Sequence, residues 1–211
     1  DVKMSKIRIL TYNIQQHNLK KNKTLARKIV QKLNTEPFYD IVCFQETFDE
    51  SIRKILKKGL KRNYPYRVPK SGTEIPDWIP FFGWFDEDSG LFFASRHPIK
   101  KRERKKVHHF EQFSNPGRET IDFIAKKGIF LALLEIDGKE FFIFNTHLQS
   151  GNHPNIREHQ LKQIQAYISR KTIYFSESIK KDERSENVGD FSVVLVGDFN
   201  VDEHSTKSEY D

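Results

Sequence analysis

The sequence predicts a layered α/β domain built on mixed parallel and antiparallel strands. Three observations lead there. Stretches with strand character alternate with segments of helical spacing along most of the 211 residues. DIVCFQ (40–45) is a short, continuously apolar run of the kind buried on both faces of a sheet. Two long apolar runs meet at Asp137-Gly138, a strong hairpin signal that adds an antiparallel pair.

The elements follow in order. KIRILTYN (6–13) reads as a strand through Ile7, Ile9 and its β-branched neighbours. Thr24 is expected to cap a helix running to about Asn34, with Leu25, Ile29, Val30 and Leu33 at helical spacing. After the buried strand 40–45, a second helix is expected over 51–62, with Ile52, Ile55, Leu56 and Leu60 on one side. Strands are expected at 89–95 (SGLFFAS), 128–136 (GIFLALLEI) and 140–147 (EFFIFNTH). A helix fits 156–168, where Ile156, Leu161, Ile164 and Ile168 form the inner stripe. The polar stretch 176–190 reads as a loop leading into the strand 191–197 (FSVVLVG).

Composition narrows the class. A chain of this length suits one domain or most of one. Eighteen Phe, seven Tyr and two Trp argue against disorder, although hydrophobic residues make up only 36%. No run approaches the ~20 apolar residues of a membrane-spanning helix. A single cysteine, Cys43, excludes an internal disulfide and Cys-rich zinc sites. Lys and Arg number 36 against 29 acids, a net +7. The basic residues cluster: eight with no acid over 53–70, and seven interrupted only by Glu103 over 96–106. Such runs suit polyanions, either nucleic acid or an anionic membrane. The plainer expectation is a solvated helix face and loop, because no base-stacking aromatic pattern accompanies the run at 96–106.

Polar groups cluster where the strands end. Asn13 ends the first strand, Glu46 follows DIVCFQ, His147 ends FFIFNTH, and Asp198 and Asn200 follow FSVVLVG. Rigid strands ending in polar side chains are a usual foundation for α/β active sites. The oxygen donors suit a hard cation, Mg²⁺ above all. His147 suits a phosphoryl contact or acid–base work near neutral pH. Each residue also has a plain structural reading. Glu46 with Thr47 and Asp49 suits a helix cap, Asn13 a turn, His147 a satisfied buried position, and Asp198 with Asn200 an Asx turn.

LTYNIQ (10–15), FQET (44–47), NTHLQ (145–149) and VGDFNV (196–201) resemble, in order and spacing, the motifs of the endonuclease/exonuclease/phosphatase superfamily. Within it the chain is most similar to the neutral magnesium-dependent sphingomyelinases. The blocks that carry this are THLQS (146–150) with Arg157, Gln160, Leu161 and Ile164, SGLFFASRHPI (89–99), and AKKGIFLALLEI (125–136). The resemblance implies a four-layer α/β sandwich of the DNase I-like type. It makes Glu46 the principal Mg²⁺ ligand with Asn13 beside it, Mn²⁺ or Co²⁺ serving as substitutes. His147 and Asn200 would contact the scissile phosphate, and Asp198 would bind metal or hold the attacking water. It further implies a final Asp-His pair on a later strand, the His acting as general base. Asp202-Glu203-His204 lies too close to the preceding motif to be that pair, so a single domain lacking its C-terminal strands is expected, weak or inactive by itself.

The implied reaction is hydrolysis of sphingomyelin to ceramide and phosphocholine at a phospholipid surface. WIPFFGWF (78–85) has two readings: an interfacial loop presenting Trp78, Phe81, Phe82 and Trp84 to lipid, or a loop folded over the core. Nucleic acid is the alternative substrate on the same fold, inositol phosphate another, and a non-catalytic binding protein the alternative class. Export and intracellular peripheral-membrane placement both fit the motifs.

Overall fold

In the computed structural model the described residues are 6–15, 19–36, 38–71, 89–102, 105–106, 108–114, 127–180 and 191–201. The segment with Trp78, Phe81, Phe82 and Trp84, and Asp202-Glu203-His204, lie outside them.

The chain folds into two facing four-stranded sheets with helices on their outer sides. The first half supplies β1 (Ile9–Asn13), α1 (Leu19–Thr35), β2 (Ile41–Gln45), α2 (Glu50–Gly59), β3 (Tyr66–Val68) and β4 (Phe92–Ser95). Its sheet runs β1-β2-β4-β3, with β1 parallel to β2 and the remaining pairs antiparallel. After the short β5 (Lys101–Arg102) and β6 (Lys105–Lys106), the second half supplies β7 (His108–Gln112), β8 (Gly128–Ile136), β9 (Lys139–His147), α3 (Pro154–Lys180) and β10 (Phe191–Asp198). Here the order is β10-β9-β8-β7, with β10 parallel to β9.

Side-chain alternation along the strands sorts the core into three layers. Val42, Phe44, Phe92 and Ala94 face α1 and α2, whose Ala26, Leu33, Ile52 and Leu56 meet them. The neighbouring Ile41, Cys43 and Phe93 turn inward onto Phe130, Ala132, Leu134 and Ile143 of the opposite sheet. Leu131, Leu133, Phe142 and Phe144 point outward onto Ile164, Tyr167 and Phe175 of α3. The four-layer arrangement and the doubly buried β2 agree with expectation. Asp137 and Gly138 form the β8–β9 turn with φ of 51° and 75°, the geometry a two-residue hairpin demands.

Several boundaries differ. Thr24 is not a cap: α1 begins at Leu19, and buried Asn22 continues the inner face one turn earlier. A polar residue on the buried face hid that turn from apolar periodicity. The helix expected at 156–168 runs to Lys180, because Tyr167 and Phe175 carry the buried stripe onward. Residues 176–180 are therefore helix and not loop. β4 starts at Phe92, not Ser89, since Gly90 takes φ 65° and packs its Cα under Phe48. α2 spans Glu50–Gly59 rather than 51–62. At its end Gly59 lets α1 close in, where a Cβ would meet Val30 Cγ1 at 2.4 Å.

Candidate active site

The parallel pairs β1–β2 and β9–β10 end at one rim of the sandwich, and all five strand-end residues meet there. Asn13 is the hub. Its Nδ2 donates to Glu46 Oε1 at 2.9 Å and, across the gap between sheets, to Asp198 Oδ2 at 2.7 Å. Buried His147 lies behind them, with Nε2 3.9 Å from Glu46 Oε1 and 3.8 Å from Asp198 Oδ2. Asn200 Nδ2 donates to the carbonyl of Leu148 at 2.8 Å, which ties the turn after β10 to the residue after His147.

The plain structural readings turn out to coexist with convergence. Asn13 Oδ1 accepts from the Gln15 amide at 2.9 Å, and Asp198 Oδ1 accepts from the Asn200 amide at 2.9 Å; both are Asx turns. Each turn occupies one atom and leaves the other aimed at the rim. The cap of α2 falls to Asp49, whose carboxylate accepts from the Ile52 amide. Glu46 is thereby spared, and its φ of 56° turns the chain sharply off β2 into the site. A left-handed glutamate is costly, and such strain concentrates at functional positions.

Two further groups were missed from sequence. Lys127 is 3% exposed, with Nζ 3.5 Å from His147 Nε2 and donating to the Leu148 carbonyl at 2.5 Å. It brings positive charge to a rim otherwise lined by carboxylates. Its only signal was a lysine opening an apolar strand, which is easily taken for a flank. Beneath the rim, Gln45 Nε2 donates to Asn145 Oδ1 at 2.8 Å, joining the sheets one residue before Glu46 and two before His147.

Arg157 and Gln160 act through the backbone. Arg157 donates to the carbonyls of Gln149 and Gly151 at 3.1 and 2.6 Å, and Gln160 accepts from the Gln149 amide at 2.9 Å. Both side chains are buried. They hold the segment after His147 against α3, so they are positioning groups.

Among the described residues no three His, Cys, Asp or Glu side chains form a metal cage. Two carboxylates bridged by one amide nitrogen nevertheless fit Mg²⁺, which keeps several waters and takes one or two carboxylates. Burial pushes the Cys43 thiol pKa up, so this residue is an inert core group and not a competing nucleophile.

Residues 10–209 match the Endonuclease/Exonuclease/phosphatase family. The chain is 31% identical over 179 residues to Sphingomyelinase C 2 of Leptospira interrogans, covering 80% of this chain and 25% of that protein. It is 30% identical over 173 residues to a Staphylococcus aureus phospholipase C, covering 77% of this chain and 46% of the other. It thus spans between a quarter and about half the length of these relatives. The crystal structure of sphingomyelinase C from Streptomyces griseocarneus superposes with TM-score 0.72 at 24% identity, covering 97% of this chain and 67% of that one. A Staphylococcus aureus beta toxin variant with bound magnesium ions superposes with TM-score 0.69 at 21% identity, covering 98% and 68%. Both likenesses speak to the fold.

Proposed function

The chain belongs to the endonuclease/exonuclease/phosphatase family, and from that premise we propose that it carries the active-site rim of a Mg²⁺-dependent phosphodiesterase cleaving sphingomyelin. One observation carries the hydrolase reading: Asn13, Glu46, His147, Asp198 and Lys127 converge from both sheets on one rim. The sphingomyelin reading draws its support from the relatives named sphingomyelinase C.

Glu46 would hold Mg²⁺, with Asn13 and Asp198 beside it. The ion supplies neutralisation of charge on the phosphodiester and its leaving oxygen. His147, Asn200 and Lys127 would hold the non-bridging phosphoryl oxygens as their charge grows, a preorganised electrostatic task. Asp198 also orients the attacking water. That water adds to phosphorus in line as the bond to the ceramide oxygen breaks, yielding ceramide and phosphocholine. The attacking water gives up one proton and the departing ceramide oxygen takes one up, so the step balances in protons.

The test is hydrolysis of sphingomyelin, plasmid DNA and a soluble inositol phosphate side by side, using the full-length native protein. Sphingomyelin turnover that vanishes in excess EDTA is expected. Cleavage of DNA alone, or full turnover in EDTA, overturns the proposal.

A further inference from the structure

We propose that the outer face of the α1–α2 layer is a docking surface for bilayers carrying anionic lipid headgroups. The sequence treats α1 and the basic run that opens in α2 as separate segments, whereas the fold joins them. Both helices pack their apolar stripes on the same side of the first sheet, and at Gly59 they approach within the reach of a single missing methyl. Their remaining faces therefore form one continuous wall.

That wall concentrates the charge of the molecule. Residues 19–36 and 49–62 hold twelve Lys and Arg against three acids, Glu36, Asp49 and Glu50, a net +9. The whole chain is +7, so everything outside the layer is net negative by two. Lys28, Lys32, Lys54, Lys57, Lys58 and Lys61 are all exposed. Internal neutralisation is slight: Lys32–Glu36 and Lys54–Glu50 are solvent-exposed helix pairs of little energetic weight.

The character of the wall favours a bilayer over nucleic acid. Among the described residues no large hydrophobic side chain is exposed on α1 or α2, so the surface offers no aromatic platform for bases. Two packed helices present a broad basic face, suited to a planar array of anionic headgroups, where each basic residue contributes additively. Choosing lipid also rests on the proposed sphingomyelin reading. Both helices follow strands that end at the site rim, so each helix begins on the rim side of the fold.

The experiment is co-sedimentation of the full-length protein with phosphatidylcholine–sphingomyelin vesicles, with and without about 30% phosphatidylserine. It is run at about 0.1 M and about 1 M salt, where the screening length falls from ~10 Å to ~3 Å. We expect binding only to the anionic vesicles at low salt. Lys54→Glu/Lys57→Glu/Lys58→Glu/Lys61→Glu should weaken it by at least about 100-fold, and Lys28→Glu/Lys32→Glu by at least about tenfold. Melting temperatures check that these exposed substitutions leave the fold intact. The surface is overturned if wild type ignores anionic vesicles, if both variants bind like wild type, or if wild type prefers duplex DNA to the vesicles. Sphingomyelin hydrolysis followed in parallel separates the two proposals. Vesicle binding without turnover overturns the function alone, and turnover without anionic preference overturns the surface alone.

Discussion

Gln45 and Asn145 join the two sheets through one buried hydrogen bond, Nε2 to Oδ1 at 2.8 Å, directly beneath the site rim. Gln45 is 1% exposed and Asn145 is fully buried. Gln45 Nε2 also reaches Thr11 Oγ1 at 3.1 Å, and Asn145 Nδ2 reaches the Phe44 carbonyl at 3.3 Å. Apolar contacts between sheets tolerate sliding; directional amide bonds do not. This pair therefore sets how Glu46 on one sheet faces His147 on the other. Replacing either amide with Leu orphans its partner and should cost about 2 kcal/mol. The double variant should lose less than the sum of the singles in urea unfolding. Strict additivity would show that the bond is not coupled.

The carboxylates are expected to carry metal binding. Glu46→Gln should abolish measurable Mg²⁺ binding by calorimetry and sphingomyelin turnover in the full-length protein, while thermal stability stays near that of wild type. A variant that binds Mg²⁺ with undiminished affinity refutes the assignment of Glu46.

Lys127 is expected to act on the phosphoryl oxygens through its charge. Lys127→Met should lower kcat/KM by roughly a hundredfold, the scale for losing one preorganised donor. The shape of the pH–rate profile should survive, because Lys127 is given no proton to transfer. An unchanged kcat/KM would reduce this ammonium to a packing role.

Gly197 is predicted to tolerate no side chain. Its φ is 149°, and a Cβ built there would lie 2.1 Å from the Thr146 carbonyl oxygen, on the strand beside it. That contact is backbone and cannot swing aside. Gly197→Ala should therefore push β10 off β9 next to Asp198, lowering both the melting temperature and Mg²⁺ affinity. A variant matching wild type in both would contradict this.

Lys100 links two glutamates that face each other across the β8–β9 hairpin, Glu135 at 3.3 Å and Glu140 in closer contact. Burial pulls its pKa down, but the hydrogen bond and charge of Glu140, and then those of Glu135, more than reverse this and hold it above the ordinary lysine value. A raised pKa stabilises the fold below the unfolded-state value and is lost as pH climbs through the folded one. Wild type should accordingly lose stability above about pH 10.5 more steeply than Lys100→Met. Because Lys100 is one-third exposed, the difference is modest after screening. Parallel melting curves for the two proteins between pH 8 and the alkaline limit would sink the idea.

Strands β1, β2, β4, β8, β9 and β10, the hairpin at Asp137-Gly138 and the five rim residues were legible in the sequence, because each rests on a local signal; β3, β5, β6 and β7 were not expected from it. Period-two burial, a turn demanding positive φ and a polar group closing an apolar run are all written in consecutive residues. The turn readings of Asn13 and Asp198 were equally legible and equally correct, since a side chain with two polar atoms serves a turn with one and the site with the other. Invisible locally were Asn22 on a buried helical face, the extension of α3 past Ile168, buried Lys127, and the Gln45–Asn145 bond. A polar residue carries no hydropathy signal for being inside, and the partner of Gln45 lies a hundred positions away. The sequence by itself thus determined which residues end the strands and what chemistry they offer. Only the tertiary structure decided that they face one another and that two basic helices share a wall, because both depend on which sheets and helices pack together.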